Sequence, residues 1–342
     1  MMSTEAVLKG LGLGQNVATN LSPLVVFCIR DLTSMAAGVA FAAYEGRSLD
    51  VHAKQFRLLA DIANNIGYAL ELAAPAWPNA FLTLVCLASL SRAITGVAGG
   101  ATRAALTQHF ARQGNAADVA AKEGSQETAT TIVGMLLGLV LTTATSGRPL
   151  FTWLLFAVLT LLHVFANVKA VRALHLTSLN PTRTELLVEE FLRQGQVLRP
   201  EDLAATETLL VPPLRSLLLG DKLRFGARLH DMVAVTPGGR QTLLTRAKDM
   251  KYIVCLADGR AVVLLRVDAD PADHLRAFVH GLVLRHYATC TRDCQEALDA
   301  HNWMHVQFQQ FLQGLVDAGW DVKRVMLVTS PYTYQVVSRK ED

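Results

Sequence analysis

The chain has 342 residues, of which 51% are hydrophobic and 18% charged, with a formal net charge of +3. Globular chains carry about 25% charged residues, so the deficit of charge is the informative quantity. So small a net charge, with no basic run interleaved with aromatics, gives no basis for a nucleic-acid partner. Cys28, Cys86, Cys255, Cys290 and Cys294 are odd in number and scattered. They make no disulfide framework and fit a reducing compartment. His286, Cys290 and Cys294 share a helical face at i, i+4 and i+8. Zinc wants four ligands at tighter spacing, so these read as plain helix positions and no metal site is predicted.

In chain order, residues 1–20 form an N-terminal segment with one Lys, one Glu and an apolar stretch broken by glycines. It reads as neither a secretory signal nor an Arg-rich transit peptide. Five apolar runs follow, at residues 21–44, 58–74, 79–100, 128–146 and 149–168. A bilayer span needs about 20 residues, which these runs approach or exceed. The second is amphipathic. The links at 75–78 and 147–148 are short and hold Pro or Gly, which predicts antiparallel neighbours.

Basic residues alternate between the links. Arg47, Lys54 and Arg57 lie between runs one and two, and Arg103, Arg112 and Lys122 between three and four. Lys169, Arg172 and Arg183 follow run five. The other side holds only Lys9 and Arg148. The positive-inside rule then places residues 97–128 and the C-terminal half on the cytosolic or stromal side.

Between runs three and four, residues 101–127 are expected to form a long, partly helical inner loop. A helix over 101–112 would stop at Gly114. Gly124 and Ser125 would open the fourth span, with Ser125 as N-cap and Glu127 in the first turn. Beyond Pro181 the sequence turns mixed. It predicts helices over 182–193 and 200–210, and a hairpin of strands 252–256 and 261–267 around Asp258-Gly259. A helix from Asp270-Pro271 to about Tyr287, a longer one over 293–318 and a last strand over 320–329 complete the pattern. The expected fold is mainly α: a multi-span helical membrane bundle over 21–175, then a small α+β domain over 181–342.

Asp61, Asn64 or Asn65, Tyr68 and Glu71 fall on one stripe of the second run. A charge at the bilayer centre costs about 2.5–3.5 kcal/mol on insertion scales, so the stripe must face protein or water. Arg30, Asp31 and Arg92 could supply partners. Three readings stand: a polar pathway or pocket between helices, a salt-bridge network that only sets packing, or a run that lies at the surface without crossing. The pairs Gly96/Gly100 and Gly134/Gly138 read as close helix packing. Gly99, Gly100, Thr102 and Arg103 would form an anion site if a helix starts at Ala101, because free N–H groups and a guanidinium both suit phosphate. The alternative is a kink with Arg103 anchored at the interface. His109 reads as a helix-face histidine. No P-loop and no nucleophile elbow is present, so no catalytic residue is assigned and enzyme chemistry is not supported.

The blocks VAGGATRAALTQHFA (97–111), NAADVAAKEGSQET (115–128) and LLADIANNIGYALEL (58–72) resemble the root UVB sensitive family. The resemblance covers roughly residues 20–175. Matching positions include Gly99, Gly100, Thr102, Arg103, Thr107, His109, Phe110, Asn115, Asp118, Lys122, Gly124, Ser125, Gln126, Glu127 and Thr128. It implies a membrane-associated protein tied in plants to early seedling development, root responses to UV-B, vitamin B6 homeostasis and auxin transport. It also implies members that act together as a complex, and a plastid as one address. The active B6 vitamer carries a phosphate, which would suit the Gly99–Arg103 site and makes pyridoxal phosphate the ligand to test.

The expectation is therefore a multi-pass membrane protein acting in small-molecule homeostasis as a carrier or sensor. Membrane lipid, a paralogue or second copy and an unidentified small molecule are its partners, and no bound cofactor is required. The rival is a membrane-anchored adaptor whose C-terminal domain recruits a protein, with Trp303, Phe308 and Phe311 either on that surface or in the core.

Overall fold

A computed structural model describes residues 23–212, 214, 223–233, 251–257, 259–290, 296–327 and 332–335. The chain is mainly helical, with a small sheet region toward the C-terminus. It divides into two compact units, Met1–Val171 and Arg172–Asp342.

Among the described residues the first unit holds five α-helices: α1 (Pro23–Leu49), α2 (Ala53–Ala73), α3 (Phe81–Phe110), α4 (Ala116–Thr145) and α5 (Pro149–Arg172). Four stretches among the described residues are long and apolar enough to cross a membrane: Val25–Leu49, Pro78–Phe110, Ala116–Thr145 and Pro149–Arg172. The helix α2 is not among them, because Lys54, Arg57, Asp61 and Glu71 interrupt it.

The core of this unit is the contact of α3 with α1 and α2. Phe56, Leu58, Ala60, Ala63 and Gly67 make the buried face of α2. At Gly67 the two backbones come close: a Cβ there would sit 3.2 Å from the Ala88 carbonyl oxygen of α3. Below it, the Thr95 hydroxyl donates across the interface to the Ala60 carbonyl at 3.1 Å. Between α2 and α3, two single-turn 3₁₀ segments, Ala74–Ala76 and Pro78–Ala80, each carry a Pro in their first two positions and reverse the chain.

The helices α4 and α5 differ from these. Leu136 is 63% exposed, Leu150 86% and Leu161 71%, and the apolar exposure continues around both helices. A helix that is apolar all round and uncovered by its own chain needs hydrocarbon or another protein against it.

The segment between runs three and four departs from its expected form. It is no loop: α3 continues unbroken through Gly99 and Gly100 to Phe110, and α4 begins at Ala116. Only residues 111–115 connect them, with Gly114 in the left-handed region (φ 69°). The predicted helix start at Ala101 and N-cap at Ser125 are therefore both absent. The Ser125 hydroxyl instead donates back to the Ala121 carbonyl within α4. At 1.5 Å per residue α3 is about 45 Å long, against a hydrocarbon core of about 30 Å.

In the second unit, α6 (Pro181–Gln194) is capped by the Asn180 Oδ1, which accepts the Arg183 N–H at 2.8 Å, and stopped by Gly195 at φ 70°. There follow α7 (Pro200–Thr206), β2 (Leu223–Phe225), α8 (Leu229–Val233), β3 (Tyr252–Ala257), β4 (Arg260–Arg266) and α9 (Pro271–Cys290). After them come α10 (Glu296–Val306), α11 (Phe308–Asp317), β5 (Asp321–Val325) and β6 (Thr333–Tyr334); β1 (Ser178–Leu179) precedes α6.

The predicted hairpin is β3–β4, antiparallel with Tyr252 opposite Leu265; its turn residue Asp258 lies outside the described residues. Strands β2 and β6 both pair with β4 in parallel, and β1 pairs with β5 in parallel. The expected single helix over 293–318 is broken at Gln307 into α10 and α11, and residues 293–295 lie outside the described residues. The break lets both pieces turn toward one core, where Phe191 meets Trp303 and Phe311 at centroid distances of 6.0 and 5.2 Å. Nearby, the fully buried Arg183 guanidinium pairs with Glu207 at 3.1 Å.

Candidate functional site

The polar stripe of α2 is where ionisable groups and apolar helices meet. Glu71 is buried and ion-paired with Arg92 of α3. Six residues earlier, about 9 Å along the helix, the Asn65 carboxamide lies against the His163 imidazole of α5. Its Nδ2 is 3.1 Å, and its Oδ1 3.2 Å, from His163 Nδ1. The other ring nitrogen, Nε2, is 2.9 Å from Asn167 Nδ2, one turn further along α5. Asp61 lies one turn before Asn65 and within electrostatic reach of Arg57 and His163. Along α2 the order is thus Arg57, Asp61, Asn65 and Glu71, with partners supplied by α5 and then α3.

Of the residues expected on this stripe, Asp61, Asn65, Glu71 and Arg92 join the file. Tyr68 is 40% exposed and lies beside it. Arg30 and Asp31 do not join. They pair with each other at 2.9 Å on α1, and the Arg30 guanidinium lies over the Phe27 ring at 4.8 Å. Neighbours in sequence could neutralise each other locally, so neither had to reach α2. Sequence reasoning missed His163. Its signal was present: it is the one titratable side chain between Arg148 and Lys169, and an ionisable group inside an apolar run is a functional candidate by default.

The second constellation is the α3–α4 hairpin. Arg103 reaches across to Glu123 at 3.2 Å and Glu127 at 2.8 Å, and Thr107 donates to Glu123 at 3.3 Å. Gly124 lies under this pair, and a Cβ there would meet the guanidinium at an ordinary contact distance of 3.8 Å. The two motif blocks, GGATR and KEGSQET, thus face each other as ion-pairing partners.

The anion site expected at Gly99, Gly100, Thr102 and Arg103 loses its basis. The glycines sit mid-helix rather than at a free helix end, Thr102 is buried and donates to the Ala98 carbonyl at 2.7 Å, and Arg103 already holds two carboxylates. Lys122 pairs with Asp118 at 2.9 Å, His109 stacks edge-on against Phe110 at 5.1 Å, and Gln126 is exposed. A Cβ at Gly96, Gly100 or Gly134 would meet nothing within 4 Å, so these glycines are not points of close helix approach within the chain.

Two large aromatics, Trp77 in the α2–α3 turn and Trp153 near the start of α5, are both exposed.

The C-terminal unit offers less chemistry. Trp303, Phe308 and Phe311 are buried in its core, which removes them as a partner surface. Tyr252 Oη is 3.1 Å from His280 Nδ1, and burial raises the tyrosine above its ordinary value. The Arg266 guanidinium, bonded to Asp268 at 2.5 and 2.9 Å, holds that carboxyl below the usual carboxylate range. Cys294 lies outside the described residues, and among those described no group of three or more His, Cys, Asp or Glu could hold a metal ion.

Residues 1–195 match the family described as "Vitamin B6 photo-protection and homoeostasis domain", and residues 196–332 match "Root UVB sensitive protein, C-terminal". The chain belongs to the root UVB sensitive family. It is 40% identical to "Protein root UVB sensitive 3" of Arabidopsis thaliana, over 95% of this chain and 76% of that protein. It is 42% identical to "RUS family member 1" of Dictyostelium discoideum, over 61% of this chain and 40% of that protein. A third relative, "Protein root UVB sensitive 2, chloroplastic" of Arabidopsis thaliana, is 27% identical over 95% of this chain and 74% of its own length. No solved structure matches the chain. Within the root UVB sensitive family, the resemblance read from residues 20–175 thus extends through the C-terminal unit, where no sharp motif announces it.

Proposed function

We propose that this chain is a multi-pass membrane protein that binds and carries a small polar molecule, of vitamin B6 chemistry, through the polar file along α2. The observation that carries this reading is the pairing of α2 with α3 and α5 through Glu71–Arg92 and Asn65–His163, inside a set of helices apolar enough to span a bilayer. Ionised groups in hydrocarbon are costly unless partnered or wetted. Helix packing alone needs none of them. At 21 residues α2 is about 31 Å long and matches the hydrocarbon thickness. It crosses as a fifth, amphipathic pass, shielded by α3 on its buried face. That arrangement keeps the basic links on one side and Trp77 and Trp153 on the other.

The family description names vitamin B6, and this sets the first ligand to try. No covalent step is invoked: the protein acts as a carrier rather than an enzyme, and needs no bound cofactor. The test is uptake of pyridoxal 5′-phosphate, pyridoxal and pyridoxamine into vesicles containing the purified chain. Asp61→Asn and Glu71→Gln should each lower uptake about tenfold or more while leaving the helical circular dichroism unchanged. Arg30→Gln, outside the file, should leave uptake intact. Full uptake in well-folded Asp61→Asn and Glu71→Gln variants would refute the reading.

A further inference from the structure

We infer that the polar file binds a proton at His163, with Asp61 as its counter-charge, so that the carrier is proton-coupled; this rests on the carrier reading above. The argument begins with what flanks the ring. Both imidazole nitrogens face carboxamides, Asn65 at Nδ1 and Asn167 at Nε2. A carboxamide is both donor and acceptor, and a rotation of its terminal group exchanges the two. The neutral ring fits as it stands: Nδ1–H donates to Asn65 Oδ1 at 3.2 Å, and Nε2 accepts from Asn167 Nδ2 at 2.9 Å. The imidazolium needs two acceptors, and turning over the Asn167 amide supplies the second. Either protonation state is therefore hydrogen-bonded at both nitrogens. A donor-only partner such as lysine or arginine in either place would have held the ring neutral.

Charge balance points the same way. On α2, Asp61, one turn before Asn65, interacts electrostatically with both His163 and Arg57. On α5 itself no other titratable residue lies between Arg148 and Lys169. Proton uptake at Nε2 turns neutral imidazole and carboxylate into an imidazolium–carboxylate pair of no net charge. Release returns the proton to water and leaves Asp61 facing Arg57. His163 lies six residues, about 9 Å, from Lys169 at the end of the span that carries the basic links, which gives the proton a short path to water. An anionic ligand entering the file would then travel with a proton that offsets part of its charge. The glutamate of the deeper Glu71–Arg92 pair is already matched by its arginine and takes no part.

The test uses the full chain in lipid nanodiscs with ¹⁵N-labelled histidine. The His163 signal is identified by its loss in His163→Gln, and by its loss in His163→Asn if the first variant folds poorly. The proposal expects the ring to pass reversibly between neutral and protonated forms from about pH 5 to pH 8, the range in which histidine ordinarily titrates. Asp61→Asn should move the midpoint by about one pH unit, as loss of a nearby opposite charge does. A ring that keeps one form across that range, or an unmoved midpoint in Asp61→Asn, overturns it. In vesicles, uptake of pyridoxal 5′-phosphate that persists undiminished when the pH gradient is collapsed would overturn the coupling and leave the carrier standing. Absence of any uptake would strike the carrier reading instead, with the nanodisc titration still deciding whether His163 binds the proton.

Discussion

Two helices of this chain, α5 and α11, place their leucines and phenylalanines in opposite ways. In α11, Phe308, Phe311 and Leu315 are buried against the α+β unit. In α5, of the residues in the apolar window none is buried, and Leu150, Leu161 and Phe165 all point away from the chain. One unit is made for water outside and hydrocarbon within. The other leaves apolar side chains uncovered along α4 and α5, while Glu71 is buried in its pair with Arg92 and the half-buried Asn65 meets an exposed His163 on α5. Substitutions of the same kind should therefore have opposite consequences in the two units.

The largest expected effect is in the α+β core. Phe311→Ala should cost about 3–5 kcal/mol, because a cavity opens beside Phe191 and Trp303; the shift in the denaturation midpoint, followed by tryptophan fluorescence, measures it. An arginine at Val316, exposed on the same helix, should change stability by no more than about 0.5 kcal/mol. At Leu161 the sign of the comparison turns. That residue is also exposed, yet Leu161→Arg should reduce membrane insertion by about 2.5–3.5 kcal/mol if the surface faces lipid, as scored by the inserted fraction in microsomes. Equal tolerance at Leu161 and Val316 would erase the distinction between the units.

Smaller is Gly67→Val, which puts a branched side chain against the Ala88 carbonyl and should destabilise the α2–α3 pair by about 1–3 kcal/mol. Thermal unfolding in nanodiscs reads it out. Smallest is a pH effect in the water-facing unit. The Asp268 carboxyl is held below its unfolded value of about 3.9 by Arg266. The stability that this pair adds is present above that value and is lost as pH falls through the lowered folded one. Denaturation midpoints followed from about pH 5 to pH 3 should show a slightly steeper loss in the wild type than in Arg266→Gln, and coincident curves would remove this contribution.

Much of this was legible in the residues. The five helices fall on the five apolar runs because a span is a length-and-hydropathy signal, and the Asp61–Glu71 stripe is periodic. The hairpin was misread through Gly99 and Gly100. Glycine ends helices in water, where the freed backbone finds solvent. Inside a long helix a glycine costs only about 1 kcal/mol against alanine, too little to break it, so the helix runs on. The Arg103 partners on α4 were likewise beyond local reading, since α3 had to be seen as one long rod before Glu123 and Glu127 could come level with it. His163 escaped because the partner that ties it to α2, Asn65, lies 98 residues away. The break at Gln307 has no Gly or Pro to mark it. It is set by what Trp303 and Phe311 must reach together.

Membrane crossing is the claim on which the rest depends, and mapping the links with engineered glycosylation acceptors in microsomes tests it most directly. Acceptors in the α2–α3 turn near Trp77 and in the α4–α5 link near Arg148 should be modified. One placed between α3 and α4 at residues 111–115 should stay unmodified in the same membranes. Modification at all three positions, or at none in a chain that alkaline carbonate strips from the vesicles, would contradict the account.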